Sequence, residues 1–269
     1  ETGNVIGLLR GSDPKLAQEV VIFTAHHDHL GKADDGAGHH GHGEGADAKD
    51  TIYNGAVDNA SGVAMVLAVA RAAAALPERP RRSLLFAFVG AEEQGLLGSR
   101  YLAENPPVPP GRIAANVNLD AGNILGASKD VSYIGYGKSS LDEVIRTFAA
   151  AQGRTVKGDA FPDKGFFYRS DQFSLARIGV PALYFKAGAD IAGKGEEWGR
   201  QQMEAWTNQH YHQPSDELGP HWSFDAFIQD AQLALFCGLA VAQADELPTW
   251  NPGDEFEAPR KQALAALGR

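Results

Sequence analysis

The sequence is short of cysteine, of basic charge and of long apolar runs, and each shortage excludes a class of protein. Cys237 is the single cysteine among 269 residues, so the chain forms no intramolecular disulfide. Acidic residues outnumber basic residues by 34 to 24, and the formal net charge of −10 makes nucleic acid and anionic lipid unexpected partners. The longest apolar stretch, residues 61–76, is shorter than the roughly 20 residues of a membrane span, so no transmembrane helix is expected.

What is present is typical of a globular protein, with 43% hydrophobic and 22% charged residues. Continuous apolar runs that alternate with helical segments of about ten residues or more favour a mostly parallel sheet covered on both faces. We expect a three-layer α/β/α sandwich with a mostly parallel mixed central sheet, as a single domain over residues 1–269. The predicted strands are 20–25, 83–89, 113–119, 131–136 and 181–185, and the predicted helices are 61–76, 95–102, 139–152, 171–178, 223–244 and 260–267.

Two polar, glycine-containing segments interrupt this alternation. Residues 31–50 are rich in Gly, Asp and His, and residues 188–209 form a second polar insert. Each follows a predicted strand, where open α/β sheets place their functional loops, so both are expected to be loops. His39, His40 and His42 in the first insert are expected to be solvated rather than metal-binding.

Acidic and histidine side chains stand at or near the ends of the predicted strands. His26 follows the first strand, Asp58 lies at the mouth of the first helix, Glu92 and Glu93 follow the next strand, and Asp120 follows the third. Since the carboxyl ends of parallel strands share one edge of a sheet, these acids are expected to meet there. Unpaired buried carboxylates are costly, so their mutual repulsion indicates a bound cation.

Charge counting suggests two metal ions. Two histidines with Asp58, Glu93 and Asp120 offer three negative charges, which two divalent ions and a bridging hydroxide would neutralise. Mixed nitrogen and oxygen ligands favour zinc over magnesium or calcium. Glu92 is then left for proton transfer, and Asp28 is expected to orient the imidazole of His26.

Five motifs together resemble a known family. They are Ala-His-His-Asp-His at 25–29, Gly-Ala-Val-Asp-Asn-Ala-Ser-Gly at 55–62, Ala-Glu-Glu-Gln-Gly-Leu-Leu-Gly-Ser at 91–99, Asn-Leu-Asp at 118–120 and Tyr-His-Gln-Pro-Ser-Asp at 211–216. In this order they resemble the co-catalytic zinc peptidases of metallopeptidase family 28, which includes bacterial aminopeptidases, glutamate carboxypeptidases and glutaminyl cyclases. The match spans residues 5–244.

The resemblance implies a ligand set for two zinc ions. His26 and Asp120 would hold one ion, Glu93 and His212 the other, and Asp58 would bridge them.

It further implies that Glu92 is the general base and that Tyr211 helps to stabilise the tetrahedral intermediate. A cis peptide bond between Asp58 and Asn59 is also expected from the family.

The substrate side is less constrained by the sequence. Phe167 and Tyr168 belong to an aromatic cluster before Arg169, and these three residues are predicted to bind substrate, although packing of the aromatic residues in the core is the alternative. An aminopeptidase of apolar or broad preference is expected to act here on peptides. A carboxypeptidase would need a basic cluster, of which Arg169, Lys164 and Lys186 are visible.

Two other functions stay open within the resemblance. One is a glutaminyl cyclase-like acyltransferase, although those enzymes generally use one zinc, and the other is a non-catalytic receptor-type domain of the same fold. The chain begins at Glu1 without a leader, so it is expected to be the catalytic portion of a longer precursor. The resemblance implies a periplasmic or secreted location, and the oligomeric state is not predicted.

Overall fold

The computed structural model describes residues 2–33, 50–159 and 162–269. Its strands are β1 (Val5–Leu9), β2 (Val20–His26), β3 (Gly31–Lys32), β4 (Ile52–Tyr53), β5 (Ser83–Val89), β6 (Ile113–Asn118), β7 (Asp130–Ile134), β8 (Thr155–Gly158) and β9 (Ala182–Ala187). Its helices are α1 (Ser61–Ala74), α2 (Leu97–Glu104), α3 (Leu141–Ala151), α4 (Gln172–Ala176), α5 (Glu196–His210), α6 (Asp225–Gln243) and α7 (Glu257–Ala265). Strands β3 and β4 form a separate two-stranded sheet.

The main sheet has seven strands in the order β1-β5-β2-β6-β9-β7-β8. The four central strands, β5, β2, β6 and β9, run parallel to one another. Strand β1 pairs antiparallel with β5, β7 pairs antiparallel with β9, and β8 pairs parallel with β7. The mostly parallel mixed sheet expected from the sequence is therefore confirmed.

Both faces of this sheet are covered, which is why its central strands are apolar without interruption. Along β2, Val21 and Phe23 pack into one core cluster with residues of α1, α3 and α6. The alternate residues Val20 and Ile22 pack into a second cluster with residues of α2 and α4. This alternation follows from the two-residue period of a strand, and it gives the three layers that were predicted.

Two helical segments, residues 56–74 and 225–243, are long and apolar enough to span a membrane by length and composition alone. Half of each is buried within the protein, and both contribute side chains to the core on one face of the sheet. Such packing is typical of core helices in an α/β domain.

The structure corrects the expected loop at 188–209, because most of it is the helix α5. Only Gly199 of this helix is buried, so the sequence carries no apolar stripe that would have indicated a helix. The strands β1 and β8 were also not predicted; they are the two edge strands and lack the continuous burial of the central ones. The other insert falls largely on residues 34–49, which lie outside the described residues together with His39, His40 and His42.

The order of the strands places a topological switch point at β2. From β2 the chain passes to β5 on one side and then crosses to β6 on the other side. In open α/β sheets a ligand site forms at such a switch point, outside the carboxyl ends of the strands.

Candidate active site

Strand register brings two predicted metal ligands, His26 and Asp120, and the predicted base, Glu92, to the same end of the sheet. Thr24 pairs with Asn118, so Asp120 and His26 each stand two residues further along on neighbouring strands. His26 pairs with Val89 on its other side, and Glu92 follows Val89 by three residues. Nitrogen and oxygen atoms of His26, Glu92 and Asp120 lie within 4.8 Å of one another.

His26 is buried and directs one ring nitrogen at the acids. Its Nδ1 lies 3.1 Å from the backbone carbonyl of Asp28, to which it can donate. Its Nε2 lies 3.2 Å from Oδ1 of Asp58 and 3.6 Å from Oδ1 of Asp120. Asp28 therefore orients the imidazole chiefly through its carbonyl, since its carboxylate is 3.9 Å from Nδ1.

Glu93 lies between two histidines. Its Oε2 is 3.2 Å from Nε2 of His212, and its Oε1 is 2.9 Å from Nδ1 of His29. The contact with His29 was not assigned from the sequence, which placed this residue outside the ligand set. Nε2 of His212 also lies 3.3 Å from Oδ2 of Asp58.

Asp58 is fixed by the loop that follows α5. The buried carboxylate of Asp216 accepts hydrogen bonds from the backbone N–H groups of Val57, at 2.8 Å, and Asp58, at 3.0 Å. The peptide bond from Asp58 to Asn59 is cis, as expected. Asp216 belongs to the last of the five motifs, but the sequence alone gave no role for it.

The start of α1 is tied to the segment that carries Asp120. The side-chain oxygen of Asn59 accepts hydrogen bonds from the N–H groups of Gly62, at 2.9 Å, and Ala121, at 3.0 Å, while its amide donates to the carbonyl of Leu119. A Cβ at Gly62 would collide with Asn59 and with the carbonyl of Leu119, so this close approach requires glycine. Two of the donor-bearing segments are thereby held together.

Asp120 has its own supporting groups. Oδ2 accepts a hydrogen bond from the hydroxyl of Ser170 and lies 3.5 Å from the hydroxyl of Tyr184. The amide of Asn118 donates to Ser170 at 2.8 Å, and its oxygen accepts from Thr24 at 2.7 Å. The hydroxyls of Ser170 and Tyr184 therefore fix the side of the carboxylate away from His26.

The titration behaviour of these residues reflects a surplus of negative charge. Burial lowers the pKa of His26, but contacts with Asp120 and Asp58 outweigh it and raise that pKa to about 12. Burial also lowers the pKa of His212, while Asp58 and Glu93 raise it to about 9. Without a metal ion, both imidazoles therefore hold a proton at neutral pH.

The pKa values of two neighbouring glutamates shift in opposite directions. Burial raises the pKa of Glu92 to about 9, assisted by the charge of Asp120. Burial also raises the pKa of Glu93, but contacts with His212 and His29 outweigh it and lower that pKa to about 2. Such a separation of adjacent carboxyl groups is the pattern by which acid and base roles are divided at active sites.

The donor set fits a metal centre. Besides the group around His26, atoms of His29, Asp58 and Glu93 lie within 4.8 Å of one another. Within the described residues, Nε2 of His212 is buried without a hydrogen bond, although two carboxylates lie beside it. Imidazole nitrogens and carboxylate oxygens that converge in this way are ligands that suit zinc.

Left-handed backbone occurs around this cluster. Among described residues other than glycine, positive φ angles occur at Ala91, Leu96, Ala121 and His212. Ala91 precedes Glu92, Ala121 follows Asp120, and His212 is itself a predicted ligand. Uncommon backbone conformations concentrate at functional sites, and here they turn three segments toward one point.

The remaining predicted residues, Tyr211, Phe167, Tyr168 and Arg169, have different surroundings. The ring of Tyr211 stacks on that of His212 with centroids 3.9 Å apart. Phe167 is buried against Trp250 and Phe256, and the hydroxyl of Tyr168 donates to Glu255 at 2.6 Å. These contacts are those of the core and its rim, so the substrate-binding role of Phe167 and Tyr168 stays a prediction.

Arg169 is exposed, with its guanidinium 5.9 Å from the ring centroid of Phe166. Its role in substrate binding also stays a prediction. The sequence assigned no role to Ser170, Tyr184 or Asn59, which support the site. Ser170 directly follows Arg169, which was predicted to bind substrate, whereas no motif marked Tyr184 within its strand.

The fold and the site together define an α/β protein with a candidate metal centre at the carboxyl ends of its parallel strands. The family model of peptidase family M28 matches residues 4–235, and the chain belongs to this family.

Sequence identity to individual relatives is low. The chain is 28% identical to leupeptin-inactivating enzyme 1 of Streptomyces exfoliatus over 214 residues, covering 77% of this chain and 46% of that protein. It is 33% identical to the probable lipoprotein aminopeptidase LpqL of Mycobacterium tuberculosis over 180 residues, covering 60% of this chain and 34% of that protein. It thus spans less than half the length of these two relatives.

The fold is shared with solved aminopeptidase structures. The aminopeptidase from Aneurinibacillus sp. strain AM-1 is similar with a TM-score of 0.59 and 23% identity, over 91% of this chain and 49% of that one.

Proposed function

We propose that this chain is the catalytic part of a zinc-dependent exopeptidase, an aminopeptidase that hydrolyses N-terminal residues from peptides. The observation that carries the proposal is the position of Asp58 between two histidines. Its Oδ1 is 3.2 Å from Nε2 of His26, and its Oδ2 is 3.3 Å from Nε2 of His212. A carboxylate whose two oxygens serve two separate donor groups is suited to bridge two metal ions.

His26 and Asp120 would hold one zinc ion, Glu93 and His212 the other, and Asp58 both. When bound, such an ion pair lowers the pKa of water and polarises the scissile carbonyl. The hydrogen bond that His29 makes to Glu93, and those that Asp216 accepts from the backbone of Asp58, would keep these ligands in place.

Glu92 is the group we assign to proton transfer. Its raised pKa, caused by burial, suits a carboxylate that accepts a proton from the attacking water and then passes it to the leaving amine. Glu93, whose pKa is lowered, stays ionised as a ligand. The neighbouring glutamates thus divide the two tasks.

Tyr211 would donate a hydrogen bond to the substrate carbonyl oxygen as negative charge develops on it. Burial raises the pKa of Tyr211, assisted by the negative charges of Asp58 and Glu93, so its hydroxyl keeps its proton. A secreted or periplasmic location is part of the proposal, supported by the lipoprotein aminopeptidase among the relatives.

The test combines metal analysis with activity. We expect two zinc ions per chain by mass spectrometry, and chelator-sensitive hydrolysis of leucine 4-nitroanilide and of free-amine peptides but not of N-acetylated ones. An N-terminal glutaminyl peptide in the same assay distinguishes a cyclase, which would convert it to the pyroglutamyl peptide and release ammonia. A zinc-loaded protein that hydrolyses no free-amine substrate contradicts the proposal.

The Glu92→Gln variant tests the assigned base. It should keep both zinc ions and its thermal unfolding temperature while kcat falls by about 10³-fold, since the amide accepts no proton. Glu104→Gln, an exposed change in α2, is the matched control and should leave kcat unchanged. Activity of Glu92→Gln close to that of the wild type would remove Glu92 from the mechanism.

A further inference from the structure

Lys186 is the second-last residue of strand β9 and lies beside the candidate site. It follows Tyr184 by two residues and therefore projects from the same face of the strand. The hydroxyl of Tyr184 is 3.5 Å from Oδ2 of Asp120, and the ammonium of Lys186 is 5.9 Å from the centroid of the Tyr184 ring. Since β9 runs parallel to β6, both strands end at the edge where the metal donors meet. The charge of Lys186 is close enough to act on Asp120.

Among the described residues, the ammonium of Lys186 has no hydrogen-bond or ion-pair partner, unlike that of Lys138, the other half-buried lysine. Lys138 pairs with Asp254 at 2.7 Å and with Glu255 at 3.3 Å. Lys186 is half-buried, and in the described part of the chain its ammonium makes no hydrogen bond or ion pair. The charge of Lys186 acts on Asp120 and on the buried Asp230, but no carboxylate of the described residues lies within ion-pair distance of its ammonium. A half-desolvated cation next to a binding site is therefore available to a ligand.

We propose that Lys186 binds a carboxylate of the substrate, so that this chain prefers peptides with an acidic group next to the scissile bond. The proposal rests on the peptidase function proposed above and narrows its substrate class. A charge-assisted hydrogen bond is among the strongest contacts a side chain can offer, and an ammonium with no internal partner can form one without first breaking another. The carboxylate has two sources: the side chain of an N-terminal glutamate or aspartate, or the terminal α-carboxylate of a dipeptide.

The experiment compares matched substrates that differ only in charge. Glutamyl and glutaminyl 4-nitroanilides test the side chain, and Leu-Ala against Leu-Ala amide tests the terminal carboxylate. In one of these pairs we expect wild-type kcat/KM to be about 10- to 100-fold higher for the charged member, the range typical of a hydrogen bond to a charged group.

Lys186→Gln should bring that ratio to about one and leave the neutral member of the pair within about twofold. Lys186→Met, which keeps an unbranched side chain of similar length, provides the same test if Lys186→Gln does not fold. Lys15→Gln is the matched control, because Lys15 is exposed and lies just before β2, at the opposite edge of the sheet. Ratios that Lys186→Gln and Lys186→Met leave unchanged in both pairs would overturn the proposal.

Binding measurements test the role of Lys186 independently of the proposed peptidase activity. Calorimetry on the zinc-loaded protein compares L-glutamate with L-glutamine and L-leucine with L-leucinamide, none of which needs to be hydrolysed. Tighter binding of the charged member, lost in Lys186→Gln but not in Lys15→Gln, supports the role of Lys186 even in a protein without peptidase activity. Equal affinities in both pairs for the wild type refute it, whatever the hydrolysis assays give.

Discussion

Strands β2 and β5 carry buried charge at both of their ends, and the two ends differ in how that charge is balanced. At the amino ends, Glu19 precedes β2 and Arg82 precedes β5. Nε of Arg82 donates to Oε2 of Glu19 at 2.7 Å, and the two side chains are 1% and 2% exposed. Arg82 also donates to the carbonyl of Val241 at 3.0 Å, and Arg269 pairs with the other oxygen of Glu19, so the buried carboxylate at this end of the strand pair is fully partnered.

At the carboxyl ends, His26 follows β2 and two glutamates follow β5, with Asp58 and Asp120 beside them. Four carboxyl groups here face imidazoles that must take up protons to offset them in the absence of a metal. The same sheet thus holds a buried carboxylate that is paired with arginines and stabilises the fold, and a cluster whose charge is complete only with cations. At the amino ends of the strands the buried charges are balanced, as expected of a structural ion pair. At the carboxyl ends negative charge is in surplus, as expected of a cation-binding site.

Removing a charge at the balanced edge should have the largest effect on stability. Arg82→Met leaves Glu19 buried with Arg269 as its remaining cation, and we expect a loss of about 3–5 kcal/mol in the free energy of unfolding. Urea denaturation followed by circular dichroism measures this loss.

The matched change at the other edge is Glu92→Gln in the zinc-free protein. Burial and the charge of Asp120 raise the pKa of Glu92 to about 9, so this group is uncharged at pH 7 and an amide in its place should not lower the free energy of unfolding. Equal losses for the two variants would mean that the carboxyl-end cluster is as well balanced as the Glu19–Arg82 pair, and the contrast between the edges would disappear.

Zinc affinity should depend steeply on pH. In the metal-free protein the pKa values of His26 and His212 are about 12 and about 9, so both imidazoles are protonated at pH 7. Metal ligation needs both neutral, so each releases a proton. The overall association constant for the two zinc ions should rise by about 100-fold per pH unit between pH 7 and 8, and more gently above pH 9, where His212 is already neutral.

Competition with a chelator of known zinc affinity measures this slope, and calorimetry in buffers of different ionisation enthalpy counts the protons released. A slope near zero would mean that the imidazoles are neutral before metal binds. The carboxylates around His26 and His212 would then carry no excess negative charge. The carboxyl ends of the strands would no longer differ in this respect from the end that holds Glu19 and Arg82.

A smaller effect is expected where backbone support of the site is weakened. Asp216→Asn keeps the size of the side chain but presents an NH₂ group to one of the two N–H donors of Val57 and Asp58. We expect zinc affinity to fall by about 10- to 100-fold and stability by about 1–3 kcal/mol. Glu217→Gln, an exposed neighbour, is the control and should change neither. Unchanged zinc affinity in Asp216→Asn would show that the cis segment is positioned without Asp216.

The accuracy of the sequence predictions follows burial. The central strand β5 was predicted with its observed bounds, and β2 and β6 to within one residue, because strands buried on both faces are continuously apolar. The exposed helix α5 and the edge strands β1 and β8 were missed, because an element that buries little leaves little hydrophobic pattern.

The candidate site shows the same division. The motifs contained His26, Asp58, Glu92, Glu93, Asp120 and His212, and the structure brings all six together. The contacts of His29 with Glu93, of Ser170 and Tyr184 with Asp120, and of Asp216 with the backbone of Asp58 were not predictable. They join segments up to 159 residues apart in the chain, and no local pattern records such a pairing.

The sequence by itself determined the α/β architecture and the chemical identity of the donors, because hydrophobic period and residue type are local properties of the chain. Only the tertiary structure decided which donors meet, which nitrogen of each histidine faces the acids, and that Lys186 lies near Asp120 with no hydrogen-bond or ion-pair partner among the residues that the structure describes. Strand register, the crossover from β5 to β6 and the packing of loops set those distances, and all three arise from contacts between residues far apart in the chain.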